Sequence, residues 1–290
     1  MFIEYMKKIQ NSIYYDYINQ LYRIALFTTN LYGKSNYNPD DIRDNYTVCF
    51  IDTLLLAKKF YLKNHLKGPN LLFLLYEGKL KIHKTDKYMV MGNCSKEGKK
   101  EIINVVVNNN LFDGLILIHE LSHFKDKDKD ENMVRQLFTE ALAFTEERLY
   151  VDFLEEEGYK FRDTWNRRLN RIVSSTMFIY YKTLKLANLY KEVGSISYDS
   201  YSDYYCDNTD YYLLKFNSNN ENNIIRYCMY TFALSVSQYI YDRIKNGELS
   251  VDILNVLHEE KMDLNKTLSI IGLEELLDNN IEKLVEVLEK

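Results

Sequence analysis

Apolar residues recur at Ile9, Ile13, Tyr17, Leu21 and Ile24, the spacing of one helix face, and predict a helix over residues 2–31. A second helix is predicted over 42–66. Asn38-Pro39-Asp40-Asp41 reads as its start, and Val48, Leu55, Leu56, Phe60 and Leu62 form a broad apolar face. Lys67-Gly68-Pro69-Asn70 interrupts that pattern. Beyond it, Leu71–Tyr76, Leu80–His83, Tyr88–Met91 and Glu101–Asn108 are short runs rich in Val, Ile, Leu and Tyr, which predict a small β-sheet. The last run would either border a cleft, where it could hold an extended peptide, or lie inside the sheet; local pattern does not separate the two. Asn108-Asn109-Asn110 is a turn, and Asp113 is the expected N-cap of the next helix. In that helix Leu115, Ile116, Leu117 and Ile118 fill nearly the whole circumference, which predicts burial. Lys125–Asp130 alternates in charge and reads as a solvated loop.

Helices are then expected at Asn132–Glu157 and Phe161–Glu192. A Tyr-rich loop follows at Gly194–Tyr212, and Asn217–Asn223 is a polar turn. Further helices are expected at Ile224–Asn246, ending at Gly247, at Leu249–His258, and at Leu264–Glu289, broken near Gly272. The pattern predicts a mainly α protein with a small β-sheet, in the α+β class. No Gly-, Ser- or Pro-rich linker divides it, so residues 1–290 are expected to form one domain. Within it, 1–66 would be N-terminal helices, 67–110 the sheet, 111–160 the helices of the candidate site and 161–290 a helical lobe.

Composition changes this picture little. The chain has 290 residues, enough to bury a substantial core, and only two prolines and ten glycines, in keeping with helices joined by short connections. A net charge of −5, spread along the chain without a basic stripe, argues against nucleic acid as a partner. No apolar run reaches the length of a membrane span, and Met1–Gln10, which carries Glu4, does not read as a signal peptide. Cys49, Cys94, Cys206 and Cys228 are widely spaced and are expected to be reduced thiols in a cytoplasmic protein.

The chemistry concentrates in Ile116-Leu117-Ile118-His119-Glu120-Leu121-Ser122-His123-Phe124. On a helix His119 and His123 stand one turn apart on one face, a spacing that lets two imidazoles ligate one metal ion. Glu120 is placed to take a proton from a metal-bound water. Two solvent-facing histidines on an ordinary helix are the plainer alternative, weakened by the apolar residues that precede them. On the following helix Glu140 sits among Leu137, Phe138, Ala141, Leu142, Ala143 and Phe144, where a carboxylate is costly unless paired or metal-bound. It is the expected third ligand; Glu146 and Glu147 are the rivals, Glu147 near the same face and Glu146 pointing away. Ala141 and Ala143 are small enough for this helix to approach the histidine helix closely.

These residues resemble, in order, the zinc metallopeptidases of the thimet oligopeptidase and oligopeptidase F type. Tyr88–Ser95 and Glu101–Asn108 look like that family's strand pair ahead of the active site. Asn108 to His123 is similar to its approach to H-E-x-x-H, and Glu140-Ala141-Leu142-Ala143 with Glu147 to its ligand helix. Tyr227–Tyr230 through Gly247 looks like its late tyrosine-bearing helix, and the tail from Ile271 like its C-terminal helices. The resemblance spans residues 88–290 and implies a zincin-like catalytic domain. It implies one zinc ion on His119, His123 and Glu140, Glu120 as general base, and Tyr227 or Tyr230 as oxyanion donor. The implied substrate is a short peptide. The chain departs from the family in a shorter His123–Glu140 interval and in having no His between residues 200 and 257. A weakly active or inactive member that binds peptides is the alternative.

Overall fold

A computed structural model describes residues 46–85, 91–97, 100–126, 133–169, 172, 233–234, 236–258 and 264–274. The chain divides into two compact units, Met1–Asn36 with Leu169–Phe232, and Tyr37–Arg168 with Ala233–Lys290. Apart from residues 169 and 172, everything described belongs to the second. The helix expected over 2–31, the Pro39 helix start, the Tyr-rich loop and both Tyr227 and Tyr230 lie outside the described residues.

The second unit is mostly helical with one three-stranded sheet, as the hydrophobic pattern predicts. Its elements are α1 (Phe50–Lys63), α2 (Leu71–Tyr76), β1 (Leu80–His83), β2 (Gly92–Glu97), β3 (Lys100–Val106), α3 (Leu111–Lys125), α4 (Met133–Glu156), α5 (Ile253–Leu257) and α6 (Leu264–Ile271). Residues 162–169 and 236–245 are also helical. Among the described residues no helix is long and apolar enough to cross a membrane.

Leu71–Tyr76 corrects the strand reading: it is a helical turn and a half. A six-residue apolar run has no periodicity to tell strand from helix, and here the Asn70 side chain decides by accepting a hydrogen bond from the Phe73 amide, 3.1 Å away. A strand forms at Gly92–Glu97, while of the run expected at Tyr88–Met91 residues 88–90 lie outside the described residues; α1 begins at Phe50, after four residues without regular structure.

The strand order is β1-β3-β2. β3, the β-branched run Ile102–Val106, is therefore interior, pairing parallel with β1 (Leu80↔Ile103) and antiparallel with β2 (Gly92↔Val105). The cleft-edge reading for residues 101–108 does not hold, and the edge beside the histidine helix belongs to β2. On one sheet face His83 Nε2, the Asn104 amide and Asn93 Oδ1 form a hydrogen-bonded row. The other face, with Ile103 and Val105 fully buried, packs on α3.

α3 runs through the core, with every residue from Leu111 to Ser122 buried. Its N-cap is Asn110, not Asp113. Asn110 accepts from the Phe112 amide, and Asp113, one turn in, accepts from the amides of Asn110 and Asn108, a capping box that also ties down the preceding turn. α4 lies against α3 over the fully buried Ala141 and Ala143, as their size suggests. Gly114 makes a second close approach: a Cβ there would stand 2.4 Å from the Tyr150 hydroxyl on α4. The resulting loss of helix propensity, about 1 kcal/mol against Ala, is accepted for that contact. Phe60 of α1 meets Tyr150 edge-on at 5.3 Å, and Phe112 meets Phe161 at 4.9 Å, closing the core around the two central helices. Gly247 (φ +76°) ends the 236–245 helix with Gly247 N–H to Ile244 and Glu248 N–H to Arg243, the C-terminal stop its sequence position predicts.

Candidate metal centre

α3 carries His119 near the end of its buried part and the half-buried His123 one turn further on. Their rings lie 4.7 Å apart, and the two Nε2 atoms face each other at 3.0 Å. Glu140, projecting from α4, brings Oε2 to 3.5 Å from each of those nitrogens. The three atoms form a small triangle with sides 3.0, 3.5 and 3.5 Å. Ligand atoms held tetrahedrally at about 2.0–2.1 Å from one ion stand about 3.3 Å apart, so the triangle already has the size of one face of such a site. Glu140 Oε2 is buried with no hydrogen-bond donor, a vacancy in its bonding that a cation would fill. His119, His123 and Glu140 can hold a metal ion, and they are the one group of this kind among the described residues.

The electrostatics point the same way. Burial opposes the charge on Glu140, yet His123 and His119 outweigh it and hold its carboxyl well below the usual carboxylate range. Burial likewise lowers His119, but Glu140 and Glu147 overcome it and push the imidazole up to about 10. A group of buried acceptors that grips a proton this firmly is a site that favours a positive charge.

Glu147 is not a rival ligand. Its Oε1 lies 2.8 Å from His119 Nδ1, on the far side of the ring from the triangle. Burial raises Glu147, but Arg168 and His119 bring it below its ordinary value, so it is ionised and can only accept. Nδ1 therefore carries a proton toward Glu147, and a metal bound in the triangle would displace the Nε2 proton and take that lone pair. This is the carboxylate–histidine arrangement that fixes tautomer and ring orientation in metal sites. Phe144 meets the same imidazole at 5.2 Å in a T-shaped contact. Glu147 Oε2 receives two more donors, Trp165 Nε1 at 3.1 Å and Arg168 Nη1 at 2.6 Å.

Glu120 is buried and turns toward β2. A Cβ at Gly92 would stand 2.5 Å from Ile116 Cγ2, 2.8 Å from Glu120 Cγ and 3.0 Å from Glu120 Oε1. The absent side chain at Gly92 is thus the space in which the Glu120 carboxylate lies against the edge strand.

Glu146 points away from the triangle, as its helical position predicts, but into the core rather than to solvent. Its Oε1 is 2.6 Å from Lys125 Nζ, 2.8 Å from His258 Nε2 and 3.3 Å from Ser122 Oγ, and its Oε2 accepts from the Tyr61 hydroxyl at 3.2 Å. Burial raises this carboxyl, and Lys125 and His258 more than compensate, bringing it to about 2.

The structure brings His119, His123 and Glu140 together, as sequence reasoning expects, and places Glu120 on the same helix against Gly92. Sequence reasoning misses Glu147's role behind the ring, the Trp165–Arg168 layer, and the Lys125–His258–Ser122–Tyr61 set around Glu146. Trp165, the single tryptophan of the chain, is the one available hint. Compared with family models, curated proteins and solved structures, the chain has no match.

Proposed function

We propose that the chain is a zinc-dependent peptidase with a zincin-like catalytic domain, acting on short peptides. The observation that carries this reading is the His119–His123–Glu140 triangle, with its buried acceptor Glu140 Oε2 lacking a donor. Two imidazoles and one carboxylate are the donor set of an open catalytic zinc site, which leaves one position for water or substrate. Zinc, when bound there, supplies Lewis acidity toward a carbonyl and makes a water acidic near neutral pH.

The chain's own residues then divide the remaining work. Glu147 keeps His119 in the Nδ1–H tautomer. Glu120, held in the space at Gly92, receives the proton of the attacking water at a carboxylate oxygen and passes it to the leaving amine. β2 has no strand partner on its outer side among the described residues, so an extended peptide can pair with it beside Glu120. The resemblance to thimet oligopeptidase and oligopeptidase F supports the same assignment and adds Tyr227 or Tyr230 as donor to the oxyanion. The Cys49 thiol, hydrogen-bonded to Asp52 rather than joined to another sulfur, suits a cytoplasmic setting.

The test is a paired measurement on the full chain. One equivalent of zinc should be retained by both the parent and Glu120→Gln, while cleavage of fluorogenic peptides should fall by about 10²–10⁴-fold in the variant. A parent that binds zinc but cleaves no peptide would leave a peptide-binding protein in place of a peptidase.

A further inference from the structure

We propose that Trp165 and Arg168 are positioning residues of the metal centre: acting through Glu147, they lock His119 with its Nε2 turned to the metal. This inference rests on the zinc reading above and concerns residues that neither touch the metal position nor belong to the H-E-x-x-H segment.

The chain of contacts is short, with His119, Glu147 and Trp165 buried and Arg168 half-buried. Glu147 is fully buried, and its two oxygens divide their duties. Oε1 takes the His119 Nδ1 proton, and Oε2 takes Trp165 Nε1–H and Arg168 Nη1–H. With Oε2 supplied by two donors from outside, the carboxylate has one orientation in which all its bonds are made, and that orientation aims Oε1 at the imidazole. Trp165 and Arg168 are three apart on the 162–169 helix and share a face, so one element delivers both donors. Trp165 is held in turn. The Arg148 guanidinium lies 5.0 Å from its ring centroid, and Arg148 is itself fastened to Ser237 Oγ and the Leu234 carbonyl. An imidazole that turned over would give up its bond to Glu147 and present a carbon edge to Glu140 and His123.

Charge alone predicts the opposite outcome, which makes the inference testable. Arg168 is a cation near a site for a dication, so on simple repulsion its removal should tighten metal binding. If its role is to position His119 through Glu147, removal should weaken binding, by the roughly 10–100-fold typical of partners behind a metal ligand.

Zinc dissociation constants are measured by chelator competition on the full chain for the parent, His123→Ala, Trp165→Phe, Arg168→Gln and Arg168→Lys. Phe153→Leu, a core change away from the centre, serves as a stability-matched control. Thermal midpoints of the zinc-free proteins are recorded alongside. The expected result is zinc binding weakened about 10–100-fold in Arg168→Gln and about tenfold in Trp165→Phe. Arg168→Lys should recover most of the loss, and Phe153→Leu should bind as the parent does. Arg168→Gln or Trp165→Phe binding zinc as tightly as the parent, or more tightly, overturns the inference and leaves the zinc reading standing. So does loss of affinity that merely tracks the thermal midpoint across all variants, Phe153→Leu included. A parent that takes up no zinc, or keeps it in His123→Ala, overturns the zinc reading itself.

Discussion

Glu146 and Glu147 are consecutive on α4, both fully buried and both ionised, yet they serve opposite kinds of site. Glu146 sits in a closed set: Lys125 supplies the compensating charge, and His258, Ser122 and Tyr61 complete the donors. Glu147 braces an open one, in which His119 Nε2, His123 Nε2 and Glu140 Oε2 converge without a donor for the carboxylate oxygen. The closed set brings its own cation on a lysine. The open set is built of two imidazoles and a carboxylate, and its permanent cation, Arg168, stands behind Glu147 rather than among the converging atoms. Burial is therefore no mark of a metal site by itself; what separates the two is whether the chain supplies the positive charge.

The largest effect that tests this contrast is on the closed side. Glu146→Gln leaves the half-buried Lys125 against a neutral amide; breaking a fully buried pair from one side costs about 3–5 kcal/mol, which sets the upper bound here. A drop in thermal midpoint with zinc affinity unchanged would sharpen the distinction. A large loss of zinc affinity would mean that the two clusters work as one. Next comes the open side without touching a ligand. In Gly92→Ala the new methyl group meets Glu120 and Ile116, so peptide cleavage should fall on the order of tenfold while zinc stays bound. Cleavage by Gly92→Ala at the parent's rate would show that Gly92 serves packing alone.

The smallest effect is in pH. Burial and then the Lys125 charge push His258 below its ordinary imidazole value, against the pull of Glu146; Asp126 and Ser122 also face it. The unfolded chain therefore takes up the His258 proton first. Stability from neutral His258 is full above about pH 6.5 and is lost as pH falls from there toward the depressed folded value. Glu146, held at about 2 against an ordinary 4.5, adds a second loss that begins as pH falls through 4.5 and runs down to that lower value. His119 acts in reverse: raised to about 10, it stabilises below 6.5 and loses that contribution as pH rises. Measured in zinc-free protein as the difference from parent, His258→Asn should remove the first acid-side loss, a shift of a few degrees in midpoint, and leave the second. An unchanged slope between pH 6.5 and 5 would show that His258 is not held neutral by this cluster.

Much of the open site is legible in the chain. His119 and His123 one turn apart, and a carboxylate among Leu137, Phe138 and Ala141, state their chemistry locally, because helical spacing and burial cost are local rules. The role of Glu147 is not, since its helical position cannot tell which side of an imidazole it will meet. Trp165 and Arg168 are further removed, because their contact with Glu147 depends on how the chain turns back after α4. The fold divides in the same way. α3, α4, β1 and β3 follow from pattern, whereas Leu71–Tyr76 is decided by one Asn side chain and the edge position of β2 by pairing across the sheet.

The two adjacent carboxylates also make the register of α4 a discrete quantity. A slide or roll of that helix by one residue would pull Glu146 from Lys125 and Glu147 from His119 in the same movement, stranding two buried charges at once. No intermediate setting satisfies either. α3 and α4 should consequently exchange their amide protons together and last, as a single clamped pair, whatever the rest of the chain is doing. The centre at His119, His123 and Glu140 inherits its geometry from that clamp before any ion arrives.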